Sequence, residues 1–181
     1  MVDEVQTGMG RPGQWFGFQN EGIGPDVITV AKALGNGVPI GACVAAGRAA
    51  SVLESGTHGS TFGGNPLAAS AALAVMDVIE RDSLVARASE LGSRIIKAFR
   101  KALEGKDGIA SIRGRGLMIG IELDRPCGDL VNHGLENGLL INVAADRVVR
   151  LLPPLVLSDE EVDDIISRVV DLVNVFVGNS R

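Results

Sequence analysis

The stretch Val27-Ile28-Thr29-Val30-Ala31-Lys32-Ala33-Leu34-Gly35-Asn36-Gly37 decides how this chain is read. Val27 to Val30 are all β-branched, and such stiff side chains favour an extended strand. Gly35-Asn36-Gly37 is a strong turn signal, because these residues accept the backbone that tight turns demand. Lys32 therefore falls just past a strand end. Neighbouring Val and Ile can disfavour its ammonium form and ease nucleophilic attack. Taken alone, though, a lysine is mostly a solvated surface group.

Working outward, Ile40 to Ala46 reads as a second apolar strand without alternation, expected where both faces are covered. On the other side, Met1-Val2 runs into Asp3-Glu4-Val5-Gln6-Thr7-Gly8, the end of a buried strand followed by a functional loop. Strands usually run about five or six residues, so this one is a stub or lacks its first half. Met9 to Gly24 is a Gly-rich loop anchored by Trp15, Phe16 and Phe18, and Pro25-Asp26 is a turn.

Gly56 to Gly64 is a loop of small and polar residues. Asn65-Pro66 opens a helix, with Asn as cap and Pro at the first helical position, and the Ala-rich run carries it to Glu80. A break near Asp82-Ser83 precedes a second helix with Leu84, Ala88, Leu91, Ile95, Phe99 and Leu103 at helical spacing. Strands are expected over Leu117 to Leu123, Leu139 to Val143 and Val148 to Leu152, where Pro153-Pro154 ends the last. Ser158 and Glu161 form a capping box for a C-terminal amphipathic helix with Val162, Ile165, Ile166, Val169, Val173 and Phe176 on one face. This helix–strand–strand–strand–helix order makes a small α/β domain. The boundary is placed at 82/83, giving domains 1–82 and 83–181.

The 181 residues are 46% hydrophobic but only 3% aromatic, with no Tyr, so the core must be aliphatic. The net charge of −5 comes without any block of like charge, which argues against a nucleic-acid partner or an anionic membrane. Cys43 and Cys127 read as free thiols of a reducing compartment. His58 and His133 lack ligand spacing, so no metal is expected. Asp3 and Glu4 stand where a signal peptide would be basic, and the uncharged run from Asn65 to Met76 is too short to span a bilayer. A soluble, cytoplasmic protein is expected.

Four segments occur in order: Asp3-Glu4-Val5-Gln6-Thr7-Gly8, Ala31-Lys32-Ala33-Leu34-Gly35-Asn36-Gly37, His58-Gly59-Ser60-Thr61-Phe62-Gly63-Gly64-Asn65-Pro66, and Arg150-Leu151-Leu152-Pro153-Pro154-Leu155. Each is weak alone. Together they resemble the class III aminotransferases, which share the fold type I architecture of pyridoxal-phosphate enzymes. The fold class implied is α/β, residues 1–82 being the C-terminal part of the cofactor-binding large domain and 83–181 the small domain.

The resemblance implies pyridoxal 5'-phosphate as cofactor and assigns roles residue by residue. Lys32 would be the Schiff-base lysine and then the proton shuttle. Asp3 would pair with the ring nitrogen, and Gln6 would hydrogen-bond the phenolic oxygen. Thr61, assisted by Ser60, would reach the phosphate of a neighbouring subunit, so a homodimer with shared active sites follows. Arg150 would grip the substrate α-carboxylate bidentately. Outside the resemblance, Asp3 reads equally as a cap, Ser60 and Thr61 as an ordinary polar loop, and Arg150 as a surface ion pair with Asp146. Arg113 and Arg115 are read as structural, and Pro12 departs from the threonine usual in the family's Gly-Arg-Thr-Gly.

The segments Leu117 to Leu123 and Arg150 to Ser158 look most like the acetylornithine branch. That implies transfer of the δ-amino group of N2-acetylornithine to 2-oxoglutarate, giving glutamate, in arginine biosynthesis. An ornithine or other ω-amino-acid aminotransferase is the alternative within the family. A catalytically inactive truncated module is the alternative outside it. Family members are roughly twice as long, so the chain is expected to be a fragment cut just before the Asp3 loop, inactive by itself.

Overall fold

Residues 1–178 are described in the computed structural model. They fall into two units, one spanning Met1–Ala88 and the other starting at Ser89. The division lies inside a helix, a little beyond the 82/83 boundary read from the sequence.

The first unit holds a three-stranded sheet in the order β1-β2-β3, formed by Val2–Asp3, Val27–Val30 and Ala42–Ala45. β1 runs parallel to β2, with Val2 opposite Ile28 and Asp3 opposite Thr29. β3 returns antiparallel to β2. The C-terminal ends of β1 and β2 therefore open on the same edge of the sheet. Ligands of open α/β sheets collect at such edges, because the loops leaving the strands converge there.

β2 has the bounds its β-branched run implies, and β3 is shorter than Ile40 to Ala46. The expectation of two covered faces for β3 is corrected: Ala42, Cys43 and Val44 are exposed. Among the described residues, β3 makes its main contacts with β2 alone. Its apolar residues consequently gain ladder bonds but no cover.

α1 (Pro66–Arg81) starts as expected, with the Ala68 amide donating to Asn65 Oδ1 at 3.0 Å and Pro66 in the first turn. It buries Ala68, Ala72 and Ile79, and it packs against the turn Lys32–Leu34. Ser83 at φ +52 breaks the helix before α2 (Leu84–Leu103) begins.

From Ser89 onward, the face of α2 holding Leu91, Ile95, Phe99 and Leu103 is fully buried. A four-stranded antiparallel sheet is built from β4 (Ile109–Arg115), β5 (Met118–Leu123), β6 (Asn142–Ala144) and β7 (Val148–Leu151), in the order β4-β5-β7-β6. β5 alternates strictly, putting Ile119, Ile121 and Leu123 into the core with Val149 of β7. The strand β4 escapes sequence reading because Arg113, Gly114 and Arg115 dilute its apolar pattern and only Ile112 is buried. It is an edge strand, where charge is an advantage because it discourages further pairing.

α3 (Leu130–Glu136) is a second departure from the expected order. It is short, and Gly134 lowers its helix propensity. The expected strand Leu139 to Val143 is corrected to Asn142–Ala144. Gly138 at φ +70 and the Leu139 amide, bonded to Gly134 O at 2.8 Å, turn the chain out of α3. That takes Leu139 out of the ladder.

α4 (Asp159–Gly178) has the expected capping box. The Ser158 amide donates to Glu161 Oε2 at 2.8 Å and the Glu161 amide to Ser158 Oγ at 3.1 Å. Val162, Val169, Leu172 and Val173 are buried. Arg94 of α2 bridges to Asp159 at 2.7 Å and Asp163 at 2.5 Å. On β5, Glu122 meets Arg113 at 2.6 Å and Arg147 at 3.0 Å.

Candidate active site

The first unit carries a constellation at the ends of its parallel strands. Pairing continues one residue past β1, where the Glu4 amide donates to Thr29 O at 2.8 Å. Successive residues of an extended chain point to opposite sides. Asp3 is exposed and Glu4 is buried. The Asp3 carboxylate accepts the Val5 amide at 2.9 Å, a local turn bond of the kind aspartate makes.

Lys32 leaves the end of β2 with φ +47. A non-glycine residue in this left-handed region is uncommon, and such strain persists only where surrounding structure holds it. The amides of Gly35 and Asn36 both donate to Lys32 O, at 3.2 and 3.1 Å, which closes the turn under the lysine. Lys32 Nζ donates to Gln6 Oε1 at 2.9 Å. Both side chains open onto a cavity of about 310 Å³ that Arg11 and Asn36 also line. Burial pushes the Arg11 guanidinium below its ordinary value. Two cationic side chains and an amide around one hollow favour an anionic, hydrogen-bonding guest.

The structure thus brings Gln6 and Lys32 together and adds Arg11. Asp3 stands at the neighbouring strand end and is not among the residues lining the cavity. Ser60 and Thr61 lie in a segment, 50–64, whose every residue is exposed. Arg150 belongs to the second unit, in β7 between Gly120 of β5 and Asn142 of β6. Among the described residues no ion pair joins it to Asp146.

Two residues escaped sequence reading. Arg11 sits inside a Gly-rich loop that hides it in the sequence, and the one signal for it is a cation two residues before Gly13 in a loop leaving a strand end. Glu4 is 1% exposed, and in sequence nothing distinguishes it from its exposed neighbour Asp3.

A larger cavity, about 550 Å³, lies in the second unit between α3 and α4, lined by His133, Asn137, Arg168 and Phe176 among others. Arg168 is already engaged there, with Asp164 and with Asn137 O. Both cysteines are free, Cys43 exposed and Cys127 buried. Among the described residues there is no group of three or more His, Cys, Asp or Glu that could hold a metal ion. No helix among them is long and apolar enough to cross a membrane.

This chain belongs to the class III aminotransferase family, whose model matches residues 1–173. Among its relatives, acetylornithine aminotransferase 1 of Bordetella bronchiseptica is 55% identical over 181 residues, which are 100% of this chain and 46% of that protein. An ornithine aminotransferase structure from Toxoplasma gondii ME49 superimposes with a TM-score of 0.92 at 39% identity, covering 99% of this chain and 44% of that one. A second Toxoplasma gondii ornithine aminotransferase structure, crystallised with oxidised glutathione, holds pyridoxal phosphate at partial occupancy in its active site; its TM-score is 0.89 at 40% identity, over 94% of this chain and 42% of that one. The fold is the α/β architecture of these enzymes. The chain spans about half the length of the relatives it matches.

Proposed function

We propose that this chain carries the cofactor lysine and the C-terminal part of a pyridoxal-phosphate-dependent acetylornithine aminotransferase. The observation that carries the reading is Lys32: a lysine at a strand end, in a strained backbone, bonded to Gln6 over a cavity that Arg11 also lines. The donor set fits pyridoxal phosphate, which needs a lysine amine, a hydrogen-bonding partner for its phenolic oxygen and compensation for its negative charge.

Bound there, pyridoxal phosphate would supply the carbon that exchanges amines and the ring that accepts the electron pair released at the amine-bearing carbon of the substrate, Cδ of the donor. Lys32 would hold the group and, once displaced, move the proton at the amine-bearing carbon of the substrate. Gln6 would orient the phenolic oxygen. Asp3 would keep a proton on the ring nitrogen. Thr61, with Ser60, would hold the phosphate of a second copy in a homodimer, and exposure of the whole 50–64 segment leaves both hydroxyls accessible. Arg150 would orient the substrate through its carboxylate. The donor would be N2-acetylornithine and the acceptor 2-oxoglutarate, in the cytoplasm.

The 55% identity to an acetylornithine enzyme supports the acyl-substituted donor. The test is an absorbance titration of the purified protein with pyridoxal phosphate, then borohydride reduction and peptide mapping. A visible band with the label on Lys32 is expected. Labels scattered over surface lysines would overturn the assignment.

A further inference from the structure

Glu4 is buried to 1% exposure, and the chemistry assigned to Asp3, Gln6 and Lys32 does not use it. Its carboxylate is nevertheless fully engaged. The Gly17 amide donates to Oε2 and the Phe18 amide to Oε1, each at 2.8 Å. The Thr7 hydroxyl donates to Oε2 as well. Every partner is a donor, so the group acts as an acceptor only, the pattern of an ionised carboxylate with its charge compensated by hydrogen bonds.

The main chain of Glu4 is tied down too. Its amide reaches Thr29 O on β2 at 2.8 Å, and its carbonyl takes the Gly8 amide at 2.8 Å. Glu4 therefore joins three pieces: the end of β2, the turn 4–8 and the loop that returns at Gly17. The fit leaves no slack. A Cβ on Gly17 would stand 3.0 Å from Thr7 Cβ and 3.3 Å from Glu4 Oε2. Phe16 and Phe18 stack at 5.7 Å across this point and stiffen the returning loop.

Gln6 lies between the two side chains of this clamp, Glu4 and Thr7. Arg11 lies in the loop between the clamped Gly8 and Gly17. Both line the Lys32 cavity. We propose that Glu4 is a positioning residue: through Thr7, Gly17 and Phe18 it fixes the backbone that aims Gln6 at Lys32 Nζ and sets Arg11 at the cavity wall. The proposal rests on the reading of Lys32 as the cofactor lysine. A carboxylate is suited to the task because only an acceptor with two oxygens can take two amides and a hydroxyl at once. Glutamine cannot, since its amide nitrogen would face a donor.

The test uses Glu4→Gln, with Thr7→Val and Thr7→Ser as a second pair, in the intact chain. The first readout needs no cofactor. The Gln6 side-chain amide signals, assigned by their loss in Gln6→Met, are recorded by NMR with and without Lys32→Met. In the wild type they shift when Lys32 is changed. In Glu4→Gln that dependence on Lys32 is expected to vanish, as pairwise coupling does when a contact is lost. The second readout is pyridoxal-phosphate affinity from the absorbance titration, expected to fall at least about tenfold in Glu4→Gln and Thr7→Val and to recover in Thr7→Ser.

A folded Glu4→Gln that keeps both the Gln6–Lys32 coupling and the affinity overturns the proposal. If Glu4→Gln does not fold, the threonine pair decides, and Thr7→Val matching Thr7→Ser in both readouts overturns it. If the wild type never labels at Lys32, the cofactor reading fails, and the NMR coupling alone judges Glu4.

Discussion

Lys32 Nζ and Gln6 Oε1 meet at 2.9 Å across the ends of two parallel strands, although the residues stand 26 apart in sequence. The bond is exposed, so it contributes little to folding. Its proposed role is to orient the cofactor. Gln6→Ala is expected to leave unfolding free energy within about 0.5 kcal/mol of the wild type, as exposed substitutions do. The same change is expected to weaken pyridoxal-phosphate binding about tenfold, roughly the worth of one well-placed hydrogen bond. Urea unfolding and an absorbance titration separate the two effects. A large loss of stability with unchanged affinity would mark Gln6 as a folding residue.

Lys32 itself holds a left-handed backbone at φ +47. Glycine adopts that region freely, and alanine does not. Lys32→Gly is therefore expected to be more stable than Lys32→Ala by about 1 kcal/mol, although both lose the amine proposed to hold the cofactor. Equal stability of the two variants would mean that the turn relaxes in solution and that no strain is held at this lysine.

Periodicity made much of the fold legible. The α2 face from Leu91 to Leu103, the Asn65 cap and the Ser158–Glu161 box all lie in local sequence, and all are in place. β4 and α3 were not legible, because Arg113 and Gly114 break the strand pattern and Gly134 the helix pattern. At the site, Lys32 and Gln6 could be named from four short segments taken together, whereas no residue pattern would single out either alone. Glu4 and Arg11 were hidden for another reason. Whether a carboxylate at a strand end is solvated like Asp3 or buried like Glu4 depends on which loop folds back over it, and here that loop returns at Gly17, 13 residues later.

Acid should expose the ion cluster on β5. The Arg113 hydrogen bond, with help from Ser111 and the charges of Arg113 and Arg147, holds the Glu122 carboxyl below its ordinary value despite some burial. A lowered folded-state pKa means that the folded chain binds the proton less readily than the unfolded chain. The stabilisation is therefore complete above the unfolded carboxylate value and is lost as pH falls through the folded one. Glu122→Gln removes it at every pH. The stability gap between wild type and Glu122→Gln, measured by urea unfolding across a pH series, is expected to be widest near neutrality and to narrow through the acid range. A gap independent of pH would show that the cluster does not couple to Glu122 ionisation.

Gly92 poses the reverse of the usual helix argument. Replacing glycine by alanine inside an exposed helix ordinarily stabilises by about 1 kcal/mol. Gly92 is buried in α2, and a Cβ there would lie 2.0 Å from Gly116 O and 2.3 Å from Gly116 C, in the turn between β4 and β5. Those are backbone atoms, which cannot swing aside as a flexible side chain does. The helix or the turn must move. Gly92→Ala is accordingly expected to destabilise by about 1–3 kcal/mol, the range for an overpacked core. Ser93→Ala, one position along and exposed, should stay within about 0.5 kcal/mol. Chemical unfolding of the two variants side by side decides the matter, because helix propensity predicts a gain for the first and close packing predicts a loss. A gain at Gly92 would mean that α2 stands off the β4–β5 turn, and that the close approach of Gly92 to Gly116 does not hold in solution.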